Sequence, residues 1–413
     1  MVNYLPDKKI IIVGGGFGGI RCALDLAKKK LPKIKIVLIN NKSNFEYTPA
    51  LCRLVTGYSP LGISITLRKI FKNKNIELVK DQIIKINLNE KKLYGNSGSR
   101  YHFDMLVLAL GSETNFFNIP GIQKLSFKFK SINEALRLKK HLHEIFTACK
   151  KKKSEDKLCT AHLVIIGGGA TGVERASELI SYSKKLAKTH QFDPALITVD
   201  LIEAGDRLLP NLPLNFAKKI EKNLKKLGVN ILLNKIVLKE EVEKVLIKDM
   251  EMKTKTVIWA AGVKGNHLFL EIKGLDCNKQ GRVLVNQYLQ PDKFENVFIL
   301  GDGADTDYSG MAQTAIYDGR YVAKNILKKL GNKTILPYQV RKPFYVISLG
   351  SNWVAASIGN LKVYGKIGWW LRRLADLRFF LSILPFKNAI LAWREGKKLW
   401  EICPICSFKK VKL

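Results

Sequence analysis

The chain has 413 residues, of which 46% are hydrophobic, so it is long enough for two or three domains with substantial cores. Seventy Lys and Arg residues against 35 Asp and Glu residues give a formal net charge of +35, which is unusual for a soluble enzyme. The charge indicates nucleic acid or an anionic membrane surface as a partner, although a Lys-rich, solvated surface explains it equally well. We see no secretory signal and no apolar run long enough to cross a bilayer, and seven scattered Cys suit a reducing compartment.

A glycine-rich turn lies near the beginning of the sequence. The β-branched run at 9–13 is typical of a buried parallel strand, the letters GGGFGG follow at 14–19, and the next residues have the apolar spacing of a helix. In such a unit, Gly14 permits the tight turn, Gly16 lets backbone N–H groups approach a pyrophosphate, and Gly19 lets the helix pack on the strand. The unit predicts a dinucleotide site. The alternative is an ordinary glycine-rich turn without a ligand.

The same pattern occurs a second time, where the apolar run 163–166 leads into GGGATG at 167–172 and then into a helix-like segment. Two such turns predict two bound dinucleotides and suggest that electrons pass between two cofactors within one chain. The residue that ends the next strand usually contacts the ribose hydroxyls, and it is Asn40 after the first turn and Glu203 after the second. Because a carboxylate repels a 2′-phosphate, Glu203 predicts NADH rather than NADPH, unless it merely ends its strand.

Further segments carry a family resemblance. They are FEYTPAL at 45–51, VTG at 55–57, DMLVLALGSETNFF at 104–117, EAGDRLLP at 203–210, WAAGV at 259–263, GDGA at 301–304 and AQTA at 312–315. In this order the set resembles the type II NADH:quinone oxidoreductases along nearly the whole chain. The resemblance implies an α/β fold with two Rossmann-like domains. These would be an FAD-binding domain at 1–118 and 264–336, an inserted NADH-binding domain at 119–263, and a C-terminal membrane-associating region at 337–413.

The resemblance also implies which residues hold the cofactors. The FAD contacts would be Gly14, Gly16, Phe17, Gly18, Gly19, Asn40, Thr48, Ala109, Gly111, Gly301, Asp302, Ala312 and Gln313. The NADH contacts would be Gly167, Gly169, Ala170, Thr171, Gly172, Glu174, Glu203 and Gly262. No metal site is expected. Asp302 can hydrogen-bond ribityl and phosphate oxygens, unless it only caps a helix, and a helix at about 311–330 can stabilise charge near flavin N1 with its N-terminus.

Three residues are predicted to take part in electron transfer. By resemblance, Glu174 is the acid near the nicotinamide and the flavin, for hydrogen bonding or proton relay; stabilisation by the helix dipole explains an acid there equally well. The family pattern AQxAxQ, with two Gln near the quinone, reads AQTAIY at 312–317. Gln313 is therefore kept, whereas Tyr317 replaces the second Gln. A Tyr can still donate a hydrogen bond to a quinone carbonyl and stack on its ring.

After about residue 337 the composition changes. Residues 366–400 alternate apolar and basic residues, and Pro385 is predicted to divide them into two helices. The basic residues of the first helix are Arg372, Arg373 and Arg378, and the second helix would carry Phe386, Ile390 and Trp393 on one side. We expect an interfacial anchor at the cytoplasmic face of a membrane, with Arg and Lys on anionic headgroups. The alternative is packing on the protein's own core or on a partner subunit. The CPIC letters at 403–406 are expected to be a tail with reduced thiols.

The function expected is that of an FAD-dependent NADH:quinone oxidoreductase that does not pump protons. Disulfide and sulfide:quinone reductases need paired cysteines at the flavin, whereas this sequence offers Cys52 there and no convincing partner for Cys159. Two rivals stay open. One is a related flavin reductase with a soluble protein acceptor or a specialised quinone. The other is a mainly structural flavoprotein similar to the apoptosis-inducing factors, which bind nucleic acid; the net charge alone supports it, so nucleic acid is disfavoured. A homodimer is also left open.

Overall fold

The computed structural model describes residues 8–29, 31–149, 154–350 and 352–400. Its strands are β1 Lys8–Val13, β2 Ile34–Asn40, β3 Asn44–Glu46, β4 Ser64–Thr66, β5 Glu77–Lys80, β6 Ile83–Asn87, β7 Lys92–Gly95, β8 Arg100–His102, β9 Met105–Leu108, β10 Ser112–Thr114, β11 His162–Ile166, β12 Thr198–Ile202, β13 Val229–Leu232, β14 Val237–Glu241, β15 Lys244–Ile247, β16 Met250–Lys253, β17 Thr256–Trp259, β18 Val263–Gly265, β19 Val297–Ile299, β20 Tyr345–Leu349, β21 Trp353–Ile358 and β22 Leu361–Gly365. Its helices are α1 Phe17–Leu26, α2 Leu51–Val55, α3 Leu67–Ile70, α4 Ile122–Leu125, α5 Ile132–Cys149, α6 Ser154–Ala161, α7 Ala170–Thr189, α8 Leu214–Leu227, α9 Leu268–Glu271, α10 Ala312–Leu330, α11 Lys366–Ile383 and α12 Phe386–Glu395.

The first parallel sheet surrounds the strand that leads into the first glycine turn. Its order is β19-β9-β1-β2-β5, and β1 pairs with β2 on one side and β9 on the other. Ile10, Ile11 and Ile12 are completely buried, as expected for a central strand covered on both faces. The order of the strands reverses at β1, so a crevice for a ligand opens beyond its carboxyl end.

The second parallel sheet repeats this arrangement in the order β13-β12-β11-β17, with β11 leading into the second glycine turn. All of its strands lie in the chain between β9 and β19, both of which belong to the first sheet. The chain therefore leaves the first unit, builds the second and returns. This path agrees with an inserted domain, whereas the predicted bounds at residues 118, 263 and 336 stay predictions.

Two helices close one face of the first sheet. The helix predicted at about 311–330 is α10, and it packs tightly against α1. A Cβ atom built on Gly319 would collide with the carbonyl oxygen of Gly18, so the absence of a side chain allows this close approach. The N-terminus of α10 is thereby held beside the first glycine turn.

The C-terminal region consists of an antiparallel sheet in the order β20-β21-β22 and the helices α11 and α12. Pro385 precedes α12, so the predicted division into two helices is confirmed. None of the described helices is long and apolar enough to cross a membrane. The CPIC letters lie outside the described residues.

Two arginines of α11, Arg372 and Arg373, point into the protein rather than towards solvent. Arg373 is 2% exposed, and its guanidinium donates to the carbonyl oxygen of Trp393, while Arg372 lies against the buried carboxylate of Asp376. The prediction that these two arginines meet lipid headgroups is therefore wrong, because their guanidinium groups are directed into the protein. Arg378, by contrast, is exposed. The exposed residues of the two helices include large apolar ones, which are Ile367, Trp370, Leu374, Leu381, Phe386 and Leu391, as well as the basic residues Lys366, Arg378, Lys387 and Arg394.

Candidate active site

The first glycine turn has no room for side chains at two positions. Gly14 has φ +112°, and a Cβ atom there would collide with the carbonyl oxygen of Ala109. A Cβ on Gly19 would collide with the carbonyl oxygen of Gly14. Beside them, the Oδ1 of Asn40 accepts a hydrogen bond of 2.8 Å from the backbone N–H of Gly15. Asn40 thus lies at the turn, as predicted.

The second turn has the same construction. Gly167 also has φ +112°, and a Cβ atom on Gly172 would collide with the carbonyl oxygen of Gly167. Glu203 occupies the position equivalent to Asn40, because its Oε2 accepts a 2.6 Å hydrogen bond from the backbone N–H of Gly168. Its Oε1 accepts from Gly205 at 2.8 Å, so both carboxylate oxygens are held in place.

The third glycine of each turn indicates where a ligand fits. A Cβ atom on Gly16 or Gly169 would meet no protein atom within 4 Å. Each residue is the N-cap of a helix, α1 or α7, and makes no side-chain capping bond. Free backbone N–H groups beside open space at a helix N-terminus suit a pyrophosphate, so both turns fit a dinucleotide.

A cavity of about 780 Å³, referred to below as the cleft, extends from the first turn to the second domain. This volume lies in the range of small-molecule sites, about 300–1,000 Å³. The predicted FAD residues that line it are Gly16, Phe17, Gly18, Asn40, Thr48, Ala109, Gly111, Gly301, Asp302 and Ala312. The predicted NADH residues that line it are Thr171, Glu174 and Gly262. The two predicted sites therefore meet in one continuous space.

The predicted quinone residues lie outside this lining. The side-chain amide of Gln313 donates to the carbonyl oxygen of Phe344 at 2.9 Å and accepts from its N–H at 3.1 Å. The ring of Tyr317 lies 5.6 Å from that of Tyr338, with the guanidinium of Arg341 4.4 Å from its centroid. Both residues thus contact the segment between α10 and β20.

Lys130 also lines the cleft, and nothing in the sequence indicates its position, because no motif surrounds it. Its Nζ donates to the carbonyl oxygen and the Oγ of Ser112, at 2.6 and 2.7 Å, and that Oγ donates to Asp302 at 2.6 Å. Burial lowers the pKa of Lys130, although the nearby carboxylates, Asp302 foremost, act in the opposite direction. The cleft therefore holds a cation beside the predicted ribityl contact.

Glu174 connects the cleft with the C-terminal region. Its Oε1 accepts a 3.0 Å hydrogen bond from the backbone N–H of Ser348 and lies 3.5 Å from the guanidinium of Arg372. Arg372 also donates to the carbonyl oxygen of Pro49 at 3.0 Å and lies 3.4 Å from Asp376. Helix α11 is thus tied to the acid predicted to lie near the nicotinamide.

A second cavity of about 210 Å³ adjoins the cleft. It shares three lining residues with the cleft, which are Pro49, Cys52 and Glu174. The rest of its wall includes Glu178, Trp369 and Arg372, so it lies between α7 and α11. In the described part of the chain, no second cysteine lines the cleft with Cys52. Burial raises the pKa of the Cys52 thiol well above its usual value, which disfavours sulfur chemistry here.

Comparisons with known proteins agree with this geometry. The model of the pyridine nucleotide-disulphide oxidoreductase family matches residues 8–319. A type II NADH:quinone oxidoreductase of Haemophilus influenzae is 30% identical, covering 87% of this chain and 90% of that protein. One of Staphylococcus haemolyticus is 26% identical, covering 94% and 98%.

Two solved structures share the fold. NDH2 from Plasmodium falciparum in complex with NADH has a TM-score of 0.85 at 19% identity, covering 96% of this chain and 99% of that chain. The sulfide:quinone oxidoreductase from Aquifex aeolicus has a TM-score of 0.78 at 20% identity, covering 92% of each chain. Both likenesses extend over the C-terminal region as well as the two parallel sheets.

Proposed function

Because the chain belongs to the pyridine nucleotide-disulphide oxidoreductase family, and within it to the type II NADH:quinone oxidoreductases, we propose that it oxidises NADH and reduces a quinone with FAD as its cofactor. The observation that carries the proposal is the single cleft, which runs from the first glycine turn to Glu174 and Gly262. When bound, FAD supplies the redox chemistry, since it accepts a hydride and then passes two electrons to the acceptor.

The residues of this chain bind FAD and orient it. The first turn binds the FAD pyrophosphate with backbone N–H groups, Asn40 binds a ribose, and Asp302 binds the ribityl chain. Asp302 is held for this task by Ser112, which is itself held by Lys130. The N-terminus of α10, at Ala312, stabilises negative charge on the flavin ring.

The second turn binds NADH, and Glu203 selects it over NADPH. Both oxygens of its carboxylate accept hydrogen bonds from backbone N–H groups. The carboxylate is therefore fixed in place and would repel a 2′-phosphate. We expect KM for NADPH to exceed KM for NADH at least tenfold, which corresponds to about 1.4 kcal/mol. The measurement is steady-state kinetics with each nucleotide. Equal KM values for the two nucleotides would contradict this role of Glu203.

The acceptor approaches through the second cavity, which adjoins the cleft at Pro49, Cys52 and Glu174. The exposed apolar residues of α11 and α12, which include Trp370 and Leu374, associate with a membrane from which a lipid-soluble quinone can enter. Gln313 and Tyr317 contribute by holding the segment before β20 against α10. The membrane face is the cytoplasmic one, in keeping with the compartment that supplies NADH.

An anaerobic experiment in two steps tests this function. The purified protein is expected to carry yellow flavin that NADH bleaches, because hydride transfer needs only the two sites of the cleft. A benzoquinone with a short isoprenoid tail is then expected to restore the yellow colour, as followed by absorbance in a stopped-flow instrument. Dithionite and oxygen serve as controls for the redox competence of the flavin.

Failure of the bleaching by NADH and failure of the reoxidation by quinone lead to different conclusions. A protein without flavin, or flavin that NADH does not bleach, contradicts the proposed function as a whole. Flavin that is bleached by NADH but reoxidised only by an iron–sulfur protein keeps the first half and supports the rival with a soluble acceptor.

A further inference from the structure

Glu178 of α7 lines the second cavity. It lies one helical turn after Glu174 on the same side of α7, and both carboxylates line this cavity. Glu174 is bound by Ser348 and Arg372. Within the described ranges, by contrast, the Glu178 carboxylate has no hydrogen-bond or ion-pair partner. A half-buried carboxyl group that lines a cavity and forms no hydrogen bond or ion pair with the described residues is suited to exchange protons.

We infer that Glu178 is the proton donor for the acceptor reduced in the second cavity. The inference rests on the proposed function and adds a catalytic residue to it. The cavity is large enough for a quinone ring or for several waters, and it touches the cleft through Glu174. A carboxylic acid at this place can protonate a quinone oxygen directly or through Glu174.

The overall reaction needs such a donor. Oxidation of NADH to NAD⁺ releases a hydride, which amounts to two electrons and one proton. Reduction of a quinone to a quinol takes two electrons and two protons, so the hydride accounts for only one of the protons. The second comes from solvent: the Glu178 carboxylic acid gives its proton to the quinone oxygen and takes another from water. One proton is thus consumed for each NADH oxidised.

The charged groups around Glu178 decide its protonation. Burial raises its pKa and Glu174 raises it further, whereas Arg53 of α2 and Arg372 of α11 lower it. The net direction is upward, so the carboxyl group holds its proton more firmly than an exposed Glu. The other titratable groups that line this cavity are Cys52, Tyr58, Arg373 and Lys397.

The test compares Glu178→Gln with Glu240→Gln in the flavin-loaded protein. Glu240 is the control, because burial raises the pKa of this carboxyl group as well, to about 8, but Glu240 lies on β14 beside Pro120. In Glu178→Gln we expect bleaching by NADH to keep its rate within twofold and reoxidation by the short-tailed benzoquinone to slow about 100-fold. The reoxidation rate of the wild type should fall as pH rises through the pKa of Glu178, and this dependence should disappear in the variant. Glu240→Gln should keep both rates and the pH profile.

Melting temperatures of the flavin-free proteins provide a second readout. The raised pKa of Glu178 means that its ionisation costs stability, an effect absent below the unfolded pKa of about 4.3 and complete above the folded pKa. Glu178→Gln is therefore expected to melt above the wild type at pH 8 and level with it at pH 4. Partial recovery of the quinone step in Glu178→Asp would support the assignment.

The outcomes separate the two proposals. Reoxidation of Glu178→Gln within threefold of the wild-type rate, with an unchanged pH profile, overturns the donor role even if the melting curves behave as expected. Absence of bleaching in the wild type instead overturns the proposed function. Equal slowing in Glu240→Gln also overturns the donor role, because it would show that loss of any buried carboxyl has this effect.

Discussion

Replacing Asp376 by Asn is expected to lower the free energy of unfolding by about 3–5 kcal/mol. Asp376 is 1% exposed and accepts a 2.7 Å hydrogen bond from the hydroxyl of Tyr47. Arg53 and Arg372 lie 3.3 and 3.4 Å from its two oxygens. Asn keeps the size of the side chain but removes the charge that balances two largely buried guanidinium groups. The measurement is thermal unfolding followed by circular dichroism.

The effect should depend on pH in a defined direction. Burial raises the pKa of Asp376, but Arg372, Arg53 and the Tyr47 hydroxyl lower it more, so the net shift is downward. A lowered pKa stabilises the protein above the unfolded value, about 3.9, and the stabilisation is lost as pH falls through the folded value. The gap between wild type and variant should thus be constant from pH 6 to 8 and shrink below pH 4.

Glu251→Gln is the control, because Glu251 forms an exposed ion pair with Lys244 at 3.0 Å. Solvent screens an exposed ion pair of this kind, so its loss has little effect on stability and this variant should melt close to the wild type. If Asp376→Asn behaved like this control, the buried cluster would not hold the C-terminal region on the first domain.

The position of this cluster explains why the effect should be large. Tyr47 follows β3, Arg53 lies on α2, and Asp376 lies on α11, so one carboxylate joins the first domain to the C-terminal region. Nearby, the ring of Phe379 packs 5.1 Å from that of Phe17, which begins α1 at the first glycine turn. Helix α11 therefore packs against the start of α1 at the predicted FAD site. The opposite side of α11 carries exposed apolar residues.

Local features could be predicted from the sequence. The glycine turns, the start of α10 and the division at Pro385 depend on a few neighbouring residues, and the structure has each of them where the pattern indicated. The positions of Asn40 and Glu203 beside the turns could also be predicted, because the end of the next strand lies beside such a turn, whereas their contact with a ribose stays a prediction.

Long-range features could not be predicted. The alternation of apolar and basic residues in α11 suits a membrane anchor and a packed helix equally. Two partners of Arg372, Pro49 and Glu174, come from segments more than 150 residues away. Lys130 approaches Asp302 only through the return of the chain to the first sheet. The sites of Gln313 and Tyr317 depend on the path of the segment before β20, which has no periodicity to read.

The third glycine of each turn allows the two cofactor sites to be separated by mutation. Gly16 has φ −85° and Gly169 has φ −71°, which other residues adopt without strain. A side chain at either position meets no protein atom within 4 Å of its Cβ and would occupy the space beside the helix N-terminus. Gly16→Val and Gly169→Val should therefore fold but lose the ligand of their own turn.

The two variants should differ in a way that assigns each turn. Gly16→Val is expected to purify without yellow colour, with FAD affinity reduced at least 100-fold, because the valine methyl groups displace the pyrophosphate from the N-terminus of α1. Gly169→Val should stay yellow and be bleached by dithionite, but its bleaching by NADH should slow at least 100-fold at the same NADH concentration. Flavin content, dithionite titration and stopped-flow absorbance measure these results, and melting curves verify folding.

If Gly169→Val lost its flavin and Gly16→Val kept it, the roles of the two turns would be reversed. If both variants kept flavin and reacted normally with NADH, neither turn would bind a pyrophosphate, and the division of the chain into an FAD site and an NADH site would fall with them.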